Sequence, residues 1–200
     1  MSIDAVLLIA FGGPQGRHEV RPFLANVLRG RRVSPERIEE VAHHYELFDG
    51  VSPLTRLTMQ QSVALAKRLA ERNLALPVYV GMRNWDPYLK DTLAQMSRDG
   101  VHHAAGVIAS AHRSYSGCLQ YRENVADARR ALREAGLADV TVTYVRDWHV
   151  APGFIEANAD HVLTALETLP GDLRHDAELV FTAHSIPRSM AARYPYERQL

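Results

Sequence analysis

The sequence predicts an α/β protein, a parallel sheet of about five strands flanked by helices. Short apolar runs recur along the chain, and each is followed by a longer stretch with helical periodicity. The first run, Ala5-Val6-Leu7-Leu8-Ile9-Ala10-Phe11, carries no charge and no polar alternation, as a strand covered on both faces requires. With 200 residues the chain corresponds to one domain, long enough to bury a core without disulfide or metal staples.

The elements follow in order. Gly12-Gly13-Pro14 ends the first strand. Helices are expected over 20–28 and 35–47, the second with Ser34 as N-cap and Pro35 at its first position. A third runs from about Leu54 to Asn73. It sets Leu57, Val63, Ala64, Ala66 and Leu69 inward and leaves Lys67, Arg68 and Arg72 outside. The alternation then becomes regular. A strand over 77–82 precedes a helix capped by Asp86-Pro87, running to Met96 and stopped by Asp99-Gly100. A strand over 104–109 leads to a helix from Tyr115 or Ser116 to Gly136. A strand over 140–145, a helix over 153–169, a fifth strand over 179–183 and a last helix after Ile186-Pro187 complete the pattern. The final residues stop without a cap or a flexible tail. This reads either as a frayed end or as an edge awaiting another strand.

Composition excludes several classes of function. Lys plus Arg and Asp plus Glu both number 23, so there is no basic excess for general nucleic-acid binding and no acidic tail. A single cysteine, Cys118, rules out an intrachain disulfide and a cysteine-built zinc site, and a lone thiol fits a reducing cytosol. No apolar run reaches the ~18 residues of a membrane span. The N-terminus lacks the basic region of a secretory signal, so a cytoplasmic protein is expected.

In open parallel sheets, ligands bind beyond the carboxyl ends of strands. Two such ends share a pattern, Ser110-Ala111-His112 and Thr182-Ala183-His184. A histidine there is held by rigid backbone. It serves as a neutral base or metal ligand, or is satisfied by nearby backbone. The loop Arg29-Gly30-Arg31-Arg32 joins two helices, and it is either solvated or a site for carboxylates, which suit arginine forks. No G-x-G-x-x-G, Walker loop or G-x-S-x-G elbow occurs, which argues against nucleotide binding and nucleophilic catalysis. Cys118, among apolar neighbours at a helix start, reads as a small buried hydrophobe.

Several segments, taken in order, resemble the N-terminal half of ferrochelatase, the enzyme that inserts ferrous iron into a porphyrin. They are Phe11-Gly12-Gly13-Pro14, the loop at 29–31, Tyr45 with 50–54, the run 79–87, Ser114–Cys118 with Tyr121, and Phe181-Thr182-Ala183-His184-Ser185-Ile186-Pro187. The details are closest to the actinobacterial, coproporphyrin III type. The resemblance implies a Rossmann-like, chelatase-type lobe over 1–187, with 188–200 as the start of a truncated connecting helix and the C-terminal lobe missing.

It implies His184 as the active-site histidine, a base for the pyrrole protons or a metal ligand, with Fe2+ as substrate. His112 matches a second cleft histidine. Arg29, Arg31, Ser52 and Tyr121 match positions that handle propionates or line the cleft, and Phe11 stands where some relatives place a tyrosine ligand. Asp49-Gly50 replaces the family's Gly-Gly, and His44 an arginine. Residues 188–200 contain no cysteine, so no iron–sulfur cluster is expected.

The family's second lobe carries a glutamate with no counterpart here, and a chain of this extent alone is expected to have little or no activity. The resemblance thus favours a ferrochelatase cut short, with porphyrin and ferrous iron as partners. The alternatives are a non-catalytic porphyrin- or haem-binding half-protein that pairs with a separate second lobe or with itself, and a homodimer like the sirohydrochlorin cobaltochelatases.

Overall fold

A computed structural model of the chain describes residues 2–200. It places four parallel strands in one sheet, β1 (Ala5–Ala10), β2 (Val78–Met82), β3 (His103–Ile108) and β4 (Thr141–Tyr144), in the order β2-β1-β3-β4. β1 is central, with Leu7 level with Tyr79 on one side and Gly106 on the other. All six of its residues are buried, which explains the uninterrupted apolar run: a central strand covered on both faces has no polar side to show.

The chain divides into two compact units. The first, through Ala109 and again over Gln120–Val145, holds the sheet with α1 (Arg17–Val27), α2 (Pro35–Glu46), α3 (Leu54–Ala70), α4 (Leu89–Arg98) and α5 (Gln120–Glu134). Ser34 caps α2 as expected, its Oγ accepting from the Arg37 N–H at 3.3 Å, with Pro35 in the first turn. α4 packs on β2 and on α5, and α1 packs on α2. The α1–α2 pair closes around Phe23, 1% exposed, together with Val20, Leu24 and Ala42. Phe23 meets Tyr45, Phe11 and Trp85 edge-on at 5.8–6.2 Å, the favoured arrangement for aromatic rings.

The second unit, Ser110–Leu119 with Arg146–Leu200, holds a π-helical turn (Tyr115–Leu119), α6 (Pro152–Glu167) and two four-residue helices, α7 (Arg188–Ala191) and α8 (Tyr196–Gln199). Here the sheet departs from expectation: it has four strands, not five. Leu179–Ala183 forms no strand among the described residues, and Val180 and Phe181 are each 79% exposed. Its residues suit a strand, but β-propensity expresses fit to a pleated, covered surface, and none covers this segment. α3 also departs from expectation, because Leu57 and Val63, expected inward, are 42% and 70% exposed. Further differences are at boundaries. α4 begins at Leu89, after a cis Asp86–Pro87 bond, and the helix expected from Tyr115 begins as the π-helical turn before α5. No helix among the described residues is long and apolar enough to cross a membrane.

Candidate active site

In the first unit the candidate site grows from the carboxyl ends of β1 and β2. The chain leaves β1 through Phe11, whose carbonyl accepts from both the backbone N–H and the side-chain amide of Asn84 at 3.1 Å. The following turn is stitched to the start of α3. Gln15 bridges to Val51, and the Ser52 N–H donates to the Pro14 carbonyl at 2.8 Å. Gly13 is needed here, because a Cβ on it would lie 2.5 Å from that of Ser52. The half-buried Glu19 carboxylate anchors the other side, accepting from the Gln15 N–H at 2.7 Å and from the Trp85 indole N–H at 2.6 Å.

At the Asp49-Gly50 turn the Gly50 N–H donates to the Tyr45 carbonyl at 2.8 Å. Asp49 takes φ 55° and Gly50 φ 72°, and aspartate tolerates the left-handed region better than most side chains. Gly50 remains obligatory, because a Cβ there would come within 2.5 Å of the Arg17 backbone.

Arg83, at the end of β2, organises the face. Its guanidinium lies 5.6 Å from the centre of the Phe11 ring and 4.7 Å from that of Tyr121, and its Nε donates to Asn124 Oδ1 at 2.7 Å. Cation–π attraction and the hydrogen bond thus fix one arginine against two rings. Burial pushes the Tyr121 hydroxyl above the usual phenol range, and the adjacent Arg83 charge partly opposes this. Arg29 donates to Asn26 Oδ1 at 2.7 Å, while Arg31 is exposed on the same loop. Phe11, Ser52, Tyr121 and Arg29 therefore belong to one unit, with Phe11 and Tyr121 joined through Arg83.

His112 and His184 lie in the second unit. His112 is half-buried, its ring 6.2–6.4 Å from those of Tyr196, Phe154 and His149. His149 turns a buried Nδ1 with no hydrogen-bond partner among the described residues. His184 is exposed, and its carbonyl accepts from the Tyr196 hydroxyl at 3.0 Å. Tyr196 therefore meets both the His112 ring and the His184 backbone, although His184 follows a segment that forms no strand and so lacks the rigid strand end that the sequence suggested. Cys118 is partly exposed rather than buried. No group of three or more His, Cys, Asp or Glu side chains among the described residues is arranged to hold a metal.

The ferrochelatase family profile matches residues 3–200. The chain belongs to the ferrochelatase family. It is 50% identical over 188 residues to the coproporphyrin III ferrochelatase of Streptomyces griseus, covering 94% of this chain and 50% of that protein. It is 47% identical over 203 residues to the coproporphyrin III ferrochelatase of Mycolicibacterium smegmatis, covering 100% of this chain and 59% of that protein. The ferrochelatase of Rhodopirellula baltica is 47% identical over 197 residues, 98% of this chain and 55% of its own length. The chain spans about half the length of the curated relatives it matches.

The ferrochelatase motifs quoted from the sequence fall on structurally specific positions. Phe11–Pro14 is the β1 turn, 79–87 runs along β2 into the Arg83–Trp85 corner, and 114–118 leads into and covers most of the π-helical turn. The sequence placed Arg83 at a strand end and within a family motif but assigned no role to it or to Tyr196. Arg83 carried a usable signal, its place at the carboxyl end of a strand. Tyr196 carried none, because a short terminal segment does not reveal its contacts.

Proposed function

We propose that this chain binds a porphyrin, coproporphyrin III by analogy with its relatives, and contributes to the insertion of Fe2+ into it in haem formation. The observation that carries the reading is the Phe11–Arg83–Tyr121 arrangement. A flat π-system suits ring faces, and a fixed guanidinium suits the carboxylates at a porphyrin's edge. Phe11, Ser52 and Tyr121 line the macrocycle, and Arg29 and Arg31 take propionates, charge against charge. His112, in the second unit, belongs to the same proposal as a porphyrin-binding residue.

His184 is the catalytic residue and metal ligand. Insertion replaces two pyrrole protons with one divalent cation, so a neutral imidazole that accepts a proton lowers the barrier. The same group can hold incoming Fe2+, the substrate, through a ring nitrogen. A first lobe over 1–187, completed by a second lobe or a second copy, and residence in the cytoplasm belong to the same proposal.

The test is anaerobic incubation with coproporphyrin III and ferrous iron, followed by the loss of porphyrin fluorescence. In a version completed by a second lobe, turnover that is lost in His184→Ala while the porphyrin still binds is the expected result. Retained turnover in the variant removes His184 from its role. Binding without turnover in the completed version selects a porphyrin-binding protein instead.

A further inference from the structure

The face around Arg83 continues into a pocket of about 630 Å³ in the first unit, reaching from the end of α1 to the first turn of α4 and the start of α5. Arg29, Arg83 and Lys90 line it. Its acidic residue, Asp127, is ion-paired with Arg130. The cations differ in how they are held. Arg83 is engaged by Asn124 and the two rings. Arg29 is steered by Asn26, whose amide also donates to the Asn84 carbonyl at 3.1 Å and the Tyr88 hydroxyl at 3.0 Å. Lys90 is exposed at the second position of α4 and forms no ion pair among the described residues. The pocket thus has three positive groups against one neutralised carboxylate, and side-chain amides also line it. Such a lining attracts an anion and leaves Lys90 to meet it.

Resting on the porphyrin reading above, we infer that this pocket receives a carboxylate from the porphyrin's edge and that Lys90 determines specificity for porphyrins bearing more than two carboxylates. Arg83 supplies the continuity, because it belongs both to the ring-facing wall and to the pocket lining. Coproporphyrin III carries one propionate on each of its four pyrroles, whereas protoporphyrin IX carries two in all. A tetracarboxylate therefore has a further group to bring to Arg83 and Lys90 once Arg29, at the same pocket, and Arg31 hold two propionates, and a dicarboxylate does not. Lys90 acts at the periphery and takes no part in proton removal.

The test is titration of the wild-type protein, Lys90→Gln and Lys90→Arg with coproporphyrin III and with protoporphyrin IX, followed at the Soret band. Lys90→Gln is expected to weaken coproporphyrin III roughly three- to tenfold, as loss of one partly solvated charge pair should. Protoporphyrin IX binding stays unchanged, Lys90→Arg restores the preference, and added salt shrinks the difference. Equal effects on both porphyrins, or none on either, overturn the assignment while leaving porphyrin binding itself intact. Citrate serves as a free small carboxylate. Lys90-dependent citrate binding without any effect on porphyrin preference gives the pocket to a free anion and overturns the inference. If the wild-type protein binds neither porphyrin, the proposed function fails first and this assignment falls with it.

Discussion

Replacing Gly13 with alanine probes the turn that joins the first strand to the candidate site. A Cβ at this position would lie 2.5 Å from Ser52 Cβ and 2.6 Å from Ser52 Oγ. Favourable contact between carbons needs about 3.5–4.0 Å, so one side must retreat by about 1 Å. Ser52 has little room to do so. Its N–H is bonded to the Pro14 carbonyl at 2.8 Å, and its Oγ accepts from the Leu54 N–H at 3.3 Å. Overpacking of this kind costs about 1–3 kcal/mol. For a chain near this length each kcal/mol lowers Tm by about 2–4 °C, so a fall of about 2–12 °C is expected.

Gly153 is the control. It lies in the first turn of α6, and nothing stands within 4 Å of a Cβ there. Alanine at that site should stabilise by about 0.4–1 kcal/mol through a less flexible unfolded chain. Urea and thermal unfolding followed by circular dichroism decide the matter, with coproporphyrin III titration alongside. Gly13→Ala should unfold more easily and bind more weakly, while Gly153→Ala should do neither. A Gly13→Ala protein as stable as the wild type would refute the close-approach argument.

Two further predictions concern charges. Asp139 accepts from Arg129 at 2.8 and 3.0 Å and from Arg133 at 3.0 Å, which holds its carboxyl below the usual carboxylate range. A lowered folded value means that the stabilisation is complete above the unfolded value of about 3.9 and disappears as pH falls through the folded value. Asp139→Asn should therefore cost about 0.5–1 kcal/mol at pH 7, discounted for a side chain about one-third exposed. It should flatten the pH dependence of stability below about pH 4, and an unchanged acid limb in urea titrations would contradict this. Arg83→Met removes the hydrogen bond to Asn124 and the charge over Phe11 and Tyr121, costing about 1–2 kcal/mol. It should raise the Tyr121 hydroxyl further, read by ultraviolet titration against Tyr121→Phe, and a fall instead would show that burial does not set that value.

The fold and the site were legible to different degrees, and the reasons are physical. β1 could be read directly, because a strand covered on both faces must be apolar throughout, and Ser34-Pro35 announced α2 through local hydrogen bonding and a fixed φ. Leu179–Ala183 misled because its composition is that of a buried strand, while pairing depends on a neighbour that composition does not encode. The π-helical turn at 115–119 was read as ordinary helix, since its residues differ from helical ones only in hydrogen-bond register. Arg29, Ser52 and Phe11 were singled out as candidates through motifs. The role of Arg83 as the link between two rings required three elements distant in sequence, β1, β2 and α5, to be brought together.

The most direct test of the central claim is a spectrophotometric titration of the protein with coproporphyrin III, alone and with Arg29→Ala and Arg83→Met. The account predicts a saturable shift of the Soret band at one porphyrin per chain, weakened in both variants and retained in His184→Ala. A Soret band that does not move on mixing with the folded wild-type protein would contradict it.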